Sequence, residues 1–128
     1  MKRMLIGVLL AVVLMIPALA SAAAEQKDFL VQSTADIVDL CTAAPDDPLY
    51  TAAIHFCQGY LVGAYAYYAA EASGPEGERL VCFPDPPPTR NDAVGMYVSW
   101  AKAHPEQMKN APVDTLFMFL TEKWPCKK

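Results

Sequence analysis

The chain has 128 residues, enough for one domain, with 14 acidic against 10 basic side chains and a formal net charge of −4. Two of the basic residues, Lys2 and Arg3, lie in an amino-terminal leader, so the remainder carries eight against fourteen, a net charge of −6. That balance disfavours nucleic acid as a partner and fits a basic protein better.

Lys2 and Arg3 precede an apolar run from Leu5 to Ile16, Pro17 breaks it, and Ala18-Leu19-Ala20 has the small-x-small form of a cleavage site. The run falls short of the ~20 residues that a membrane span needs. Residues 1–22 are therefore expected to be a cleavable signal peptide, cut after a position between Ala20 and Ala24, with 25–128 forming a single helical domain. Ala20-Ser21-Ala22 and Ala22-Ala23-Ala24 are competing sites. Export leaves no membrane segment and places the protein in the periplasm.

Four helices follow. Ser33-Thr34-Ala35-Asp36 is a capping-box pattern, and it opens a short helix from about Thr34 to Thr42. Pro45-Asp46-Asp47-Pro48 separates this from a second helix running from Pro48 to about Ala72, with Asp47 as cap and Ser73-Gly74-Pro75 as the stop. From Leu49 to Ala70 this helix has no charged residue, a pattern of burial on all sides or of a membrane span. Its Ala, Gly and Tyr content, with His55, Cys57 and Gln58, favours burial. Gly59-x-x-x-Gly63 allows close helix approach in either setting.

Gly74 to Asn91 is the one long irregular segment, with five prolines, three of them consecutive (Pro86 to Pro88). A loop of that length in a compact domain is functional or disordered, and Cys82 with the proline run argues for a stiff, functional one. Thr89-Arg90-Asn91-Asp92 opens a third helix that ends at Ala103-His104-Pro105. The last helix is expected from Pro112 to about Lys123, capped by Asn110. Its core stripe is Val113, Leu116, Phe117, Leu120 and Trp124, with Phe119 at the margin and Met118 facing away. No strand pattern competes, so the fold class is all-α: a compact bundle of about four helices with one long Pro-rich loop, stapled by two disulfides.

An even count of four cysteines in a small exported chain implies a disulfide framework. Of the three pairings, Cys41 with Cys126 and Cys57 with Cys82 is expected, because in a simple helical hairpin Cys41 sits beside the turn while Cys57 lies about two helical turns beyond it. Catalytic chemistry is sparse. His55 and His104 fall on different helices without metal spacing, there is no C-x-x-C, and no Gly-rich phosphate loop occurs. Tyr60, Tyr65, Tyr67 and Tyr68 are expected to serve core and dimer contact rather than a ligand site. The expectation is a non-enzyme with no cofactor and no metal.

The cysteine phrases carry a resemblance. Cys41 ends a helix, and Phe56-Cys57-Gln58-Gly59-Tyr60, Cys82-Phe83-Pro84, Thr89, His104-Pro105-Glu106 and Trp124-Pro125-Cys126 follow in order. Together they resemble the Rap/Tai family of type VI secretion immunity proteins over nearly the whole mature chain, roughly Thr34 to Cys126. Val81 stands where that family more often has an aromatic residue, Trp124 replaces a usual Phe, and Pro86 to Pro88 lengthen the loop. The resemblance implies a periplasmic helical protein, commonly a homodimer. Such proteins neutralise a peptidoglycan-cleaving amidase toxin by occluding a papain-like groove. Glu76, Glu78, Asp85 and Phe83 are the expected loop contacts with the toxin, the alternative being Phe83 folded back as a core plug with the carboxylates solvated, and Tyr65, Tyr68 and Met118 are the expected dimer contacts. An acid-stress chaperone of the HdeA type, or an orphan periplasmic binding domain, are the alternative readings.

Overall fold

The computed structural model describes residues 23–127; the leader expected over residues 1–22 lies outside them. A short 3-10 turn (Gln26–Leu30) leads into α1 (Thr34–Cys41), α2 (Tyr50–Ala72), α3 (Arg90–Ala103), a second 3-10 turn (Pro105–Gln107) and α4 (Pro112–Lys123). No strand forms among the described residues; the one extended pairing is an isolated antiparallel bridge between Val81 and Pro125. The all-α architecture matches the pattern in the sequence.

Local chemistry sets the helix starts. Ser33 is extended, its hydroxyl accepts from the Asp36 N–H, and Asp36 accepts in return from the N–H groups of Ser33 and Gln32, both at 2.9 Å. Two further amides of this end are met from outside: Thr34 N–H donates to the Asn110 carbonyl (2.8 Å) and Ala35 N–H to that of Met108 (3.0 Å). The unsatisfied donors of α1 thus bind its first turn to the connection between α3 and α4. Thr89 caps α3 through the Asp92 N–H, while the Asp92 carboxylate takes the Thr89 hydroxyl rather than a backbone amide. Asn110 does not cap α4; Ala111 holds that position, leaving the Asn110 carbonyl free for α1.

The core is built from Ile37 and Leu40 of α1, Ala53, Cys57 and Leu61 of α2, Tyr97 of α3, and Leu116, Phe119 and Leu120 of α4. The stripe of α4 is rotated from the expected one: Phe119 is buried and Val113 is 40% exposed. A hydroxyl causes the rotation. Thr115 is fully buried, bonding to Tyr97 Oη at 2.9 Å and to Thr34 Oγ1 at 2.8 Å, and Thr34 donates onward to the Asn110 carbonyl at 2.9 Å. Turning Thr115 inward carries Phe119 into the core and Val113 out. Burial pushes the Tyr97 phenol up from its ordinary value, so it remains a neutral donor at the head of this chain.

The bridges join Cys41 to Cys57 and Cys82 to Cys126, so the expected pairing of Cys41 with Cys126 and Cys57 with Cys82 is wrong. The hairpin premise fails because α2 starts at Tyr50, not Pro48, and the linker from Thr42 to Leu49 is long enough to double back. The end of α1 then lies beside the second turn of α2, with the Cys41 and Cys57 Cα atoms 5.2 Å apart. α2 is also not buried on all sides. Only Ala53, Cys57 and Leu61 are buried, and among the described residues no helix is long and apolar enough to cross a membrane.

Non-reducing peptide mapping is expected to return Cys41–Cys57 and Cys82–Cys126 peptides. Loop-closure entropy over 16 and 44 residues makes these bridges worth at most about 3 and 4 kcal/mol. Thr115→Val strands the Tyr97 hydroxyl in the core, so urea unfolding is expected to show a loss of about 1–3 kcal/mol; a variant as stable as the parent would mean that the hydroxyl chain is dispensable.

Candidate functional site

Two surfaces stand out from the bundle, one on the long loop and one on α2. The loop leaves α2 through a tight reversal in which Gly74 N–H donates to the Glu71 carbonyl and Gly77 N–H to that of Gly74. A Cβ on Gly77 would overlap the Glu71–Ala72 backbone, so only glycine fits this close return. The loop is then fixed at its middle. Tyr68 Oη, on the last turns of α2, accepts the N–H groups of Leu80 (2.6 Å) and Val81 (3.0 Å). On the other side Cys82 N–H donates to the Trp124 carbonyl (2.8 Å), Cys126 N–H donates to that of Leu80 (3.2 Å), and the Cys82–Cys126 bridge closes the clamp. Val81 is buried beneath it.

Phe83 lies between Tyr65 and Trp124, with ring centroids 5.2 and 4.8 Å away, and is half-buried. Its ring also lines an apolar cavity of about 170 Å³ between the loop and helices α2, α3 and α4, whose walls include Leu61, Tyr65, Pro87, Pro88 and Val94. Glu76, Glu78 and Asp85 are all exposed and stand outside this clamp. The loop therefore presents carboxylates on a backbone held by α2 and by the carboxyl-terminal tail.

On α2 the two expected dimer-contact tyrosines are half-buried. Tyr65 and Tyr68 direct their rings within the protomer: Tyr65 packs on Tyr68 and Phe83, and Tyr68 on Phe117 as well as clamping the loop. The open side of the helix carries Ala52, His55, Gly59, Gly63, Ala66 and Tyr67, all exposed, with no Asp, Glu, Lys or Arg among them. An added Cβ at Gly59 or Gly63 meets nothing within 4 Å, so the protomer alone gives no steric reason for glycine there. Met118 is exposed on α4, 44% by area.

Of the remaining candidates, His104 and the cysteines have structural roles. His104 Nδ1–H donates to the Trp100 carbonyl at 2.7 Å and its ring stacks on Trp100, closing the end of α3. His55 is exposed on α2. All four cysteines are bridged. Among the described residues no three His, Cys, Asp or Glu side chains converge as metal ligands. The clamp by Tyr68 escaped sequence reasoning because its partner amides lie 12 and 13 residues away in a loop with no periodic signal.

No curated protein and no solved structure matches the chain. The family of Rap1a immunity proteins does, over residues 33–126, a span that runs from the cap of α1 to the last bridged cysteine and takes in both disulfides, the clamped loop and all four helices. The chain belongs to the Rap1a immunity protein family.

Proposed function

We propose that this protein is a periplasmic immunity protein that binds a peptidoglycan-cleaving amidase delivered by a type VI secretion system and occludes its active-site groove. Membership of the Rap1a immunity family is the observation that carries this reading. Two disulfides in so small a domain suit an oxidising compartment. The loop supports the mode of action. An element already fixed by Tyr68, the Cys82–Cys126 bridge and three consecutive prolines loses little conformational entropy on entering a cleft. Glu76, Glu78 and Asp85 would steer it toward a basic groove rim, and the edge of Phe83 left open by Tyr65 and Trp124 would supply the apolar contact.

The protein acts as a homodimer in this reading, joined through the open side of α2. Small residues at Ala52, Gly59, Gly63 and Ala66 let two such helices approach closely with no charge to desolvate, and a two-fold contact of a surface with itself is the commonest solution. Met118, exposed on α4, is a further candidate for this contact.

Charge reversal at Glu76 and Glu78 together is expected to slow association with the amidase severalfold and flatten its salt dependence, whereas Phe83→Ala raises the off-rate. Both are read by titrating folded variants against amidase activity. If correctly folded loop variants protect as well as the parent, the loop is not the inhibitory element. Ala66→Glu sets two carboxylates against each other across the two-fold axis, so sedimentation at micromolar concentration should change from dimer to monomer. A parent protein that sediments as a monomer with intact disulfides contradicts the assembly.

A further inference from the structure

The described chain has an unusual feature where it begins. Ala24 is only 7% exposed and packs with the core, while Ala23 next to it is exposed. Ala24 N–H donates to Asp47 Oδ2 at 3.0 Å, and the other oxygen of that carboxylate accepts the Leu49 N–H at 2.8 Å, at the entrance to α2. Asp47 is half-buried, yet among the described residues the ion pairs all belong to Lys27, which bonds Glu25 and Asp28. A partly desolvated carboxylate held by two neutral amides lacks a compensating cation. A backbone nitrogen can supply one only where a chain starts.

We infer that the leader is removed by hydrolysis of the Ala23–Ala24 bond, and that the new α-ammonium of Ala24 pairs with Asp47, fastening the mature amino terminus to the start of α2. Water adds across the amide under a signal peptidase: its oxygen completes the Ala23 carboxylate, and the released nitrogen of Ala24 takes up protons to become the ammonium. Ser21-Ala22-Ala23 places small side chains at the first and third positions before that bond. The existing hydrogen bond becomes charge-assisted with no movement of the backbone.

Neighbouring cuts fit less well. Cleavage after Ala20 or Ala22 leaves the charge on a residue ahead of Ala24 and keeps a neutral amide against Asp47. Cleavage after Ala24 discards a buried methyl group and puts the ammonium on Glu25. The Glu25 N–H donates to Asp28 Oδ2 at 2.7 Å, but that carboxylate already has Lys27 Nζ at 3.0 Å. Asp28 has its cation, and Asp47 waits for one.

This inference rests on the export reading, and the experiment separates the two. The full chain is produced with its own leader in a bacterial periplasm, and the purified protein is examined by intact mass and amino-terminal sequencing. Ala24 as first residue is expected. Any other cut overturns the inference while leaving export intact, whereas a chain still starting at Met1 overturns both. The ion pair is tested separately with mature chains that start at Ala24 or at Ala23, each with and without Asp47→Asn, which removes the charge and one acceptor oxygen equally in both chains. The substitution should lower the thermal midpoint by about 4 °C or more in the Ala24 chain, and by less than half as much in the Ala23 chain. Equal losses in both chains would overturn the pairing.

Discussion

A run of three buried hydroxyls, from Tyr97 through Thr115 to Thr34 and on to the Asn110 carbonyl, sets the register of the bundle. It touches the middle of α3, the first turn of α4 and the first residue of α1 at one dry point. Tyr97 donates at the head, and Thr115 and Thr34 each both accept and donate, so any one of them out of place would leave its neighbours unsatisfied in the core, a penalty larger than the gain from a well-made bond. Hydrophobic burial alone tolerates sliding of short helices; a directional chain with a single workable geometry does not. At its far end α1 is bonded covalently to α2 through Cys41 and Cys57, so all four helices are indexed from these two points.

The loop inherits its position from that arrangement. α2 carries Tyr65 and Tyr68 to one side of it, and α4 delivers Trp124 and Cys126 to the other. Phe83 is wedged where the two meet. A segment of this kind has its shape decided by the bundle before any partner arrives, so it would lose little conformational entropy on binding. The three exposed carboxylates lie outside the clamp and are free to respond to a partner's field.

Much of the fold was legible in the sequence because helix ends are written locally. Ser33 with Asp36, Thr89, Pro112 and the His104-Pro105 stop all lie within a few residues of the feature they define. The ordered cysteine phrases were equally readable and pointed to the right family. What escaped depends on distance. Thr115 looks like a surface residue until a partner hydroxyl 81 residues earlier is brought against it, and the inward turn of that side chain is what moved the stripe of α4. The cysteine pairing failed for a similar reason: the path of the linker from Thr42 to Leu49 decides which thiols meet, and a linker without periodicity does not reveal its path. An uncharged α2 suggested burial on all sides, yet much of its open side is alanine and glycine, which leave little apolar area to cover.

The two bridges join the cysteines in the order of the chain, first to second and third to fourth. For a polypeptide threaded amino terminus first into an oxidising space, that order has a kinetic meaning. A dithiol oxidase that joins each thiol to the next one to emerge produces the native set at once, with no mixed disulfide to resolve and no need for an isomerase. In such a case α1 and α2 would be sealed to each other before α3 and α4 have emerged. A chain bridged in this order can mature as fast as it emerges, which suits an immunity protein that must be ready before its toxin arrives.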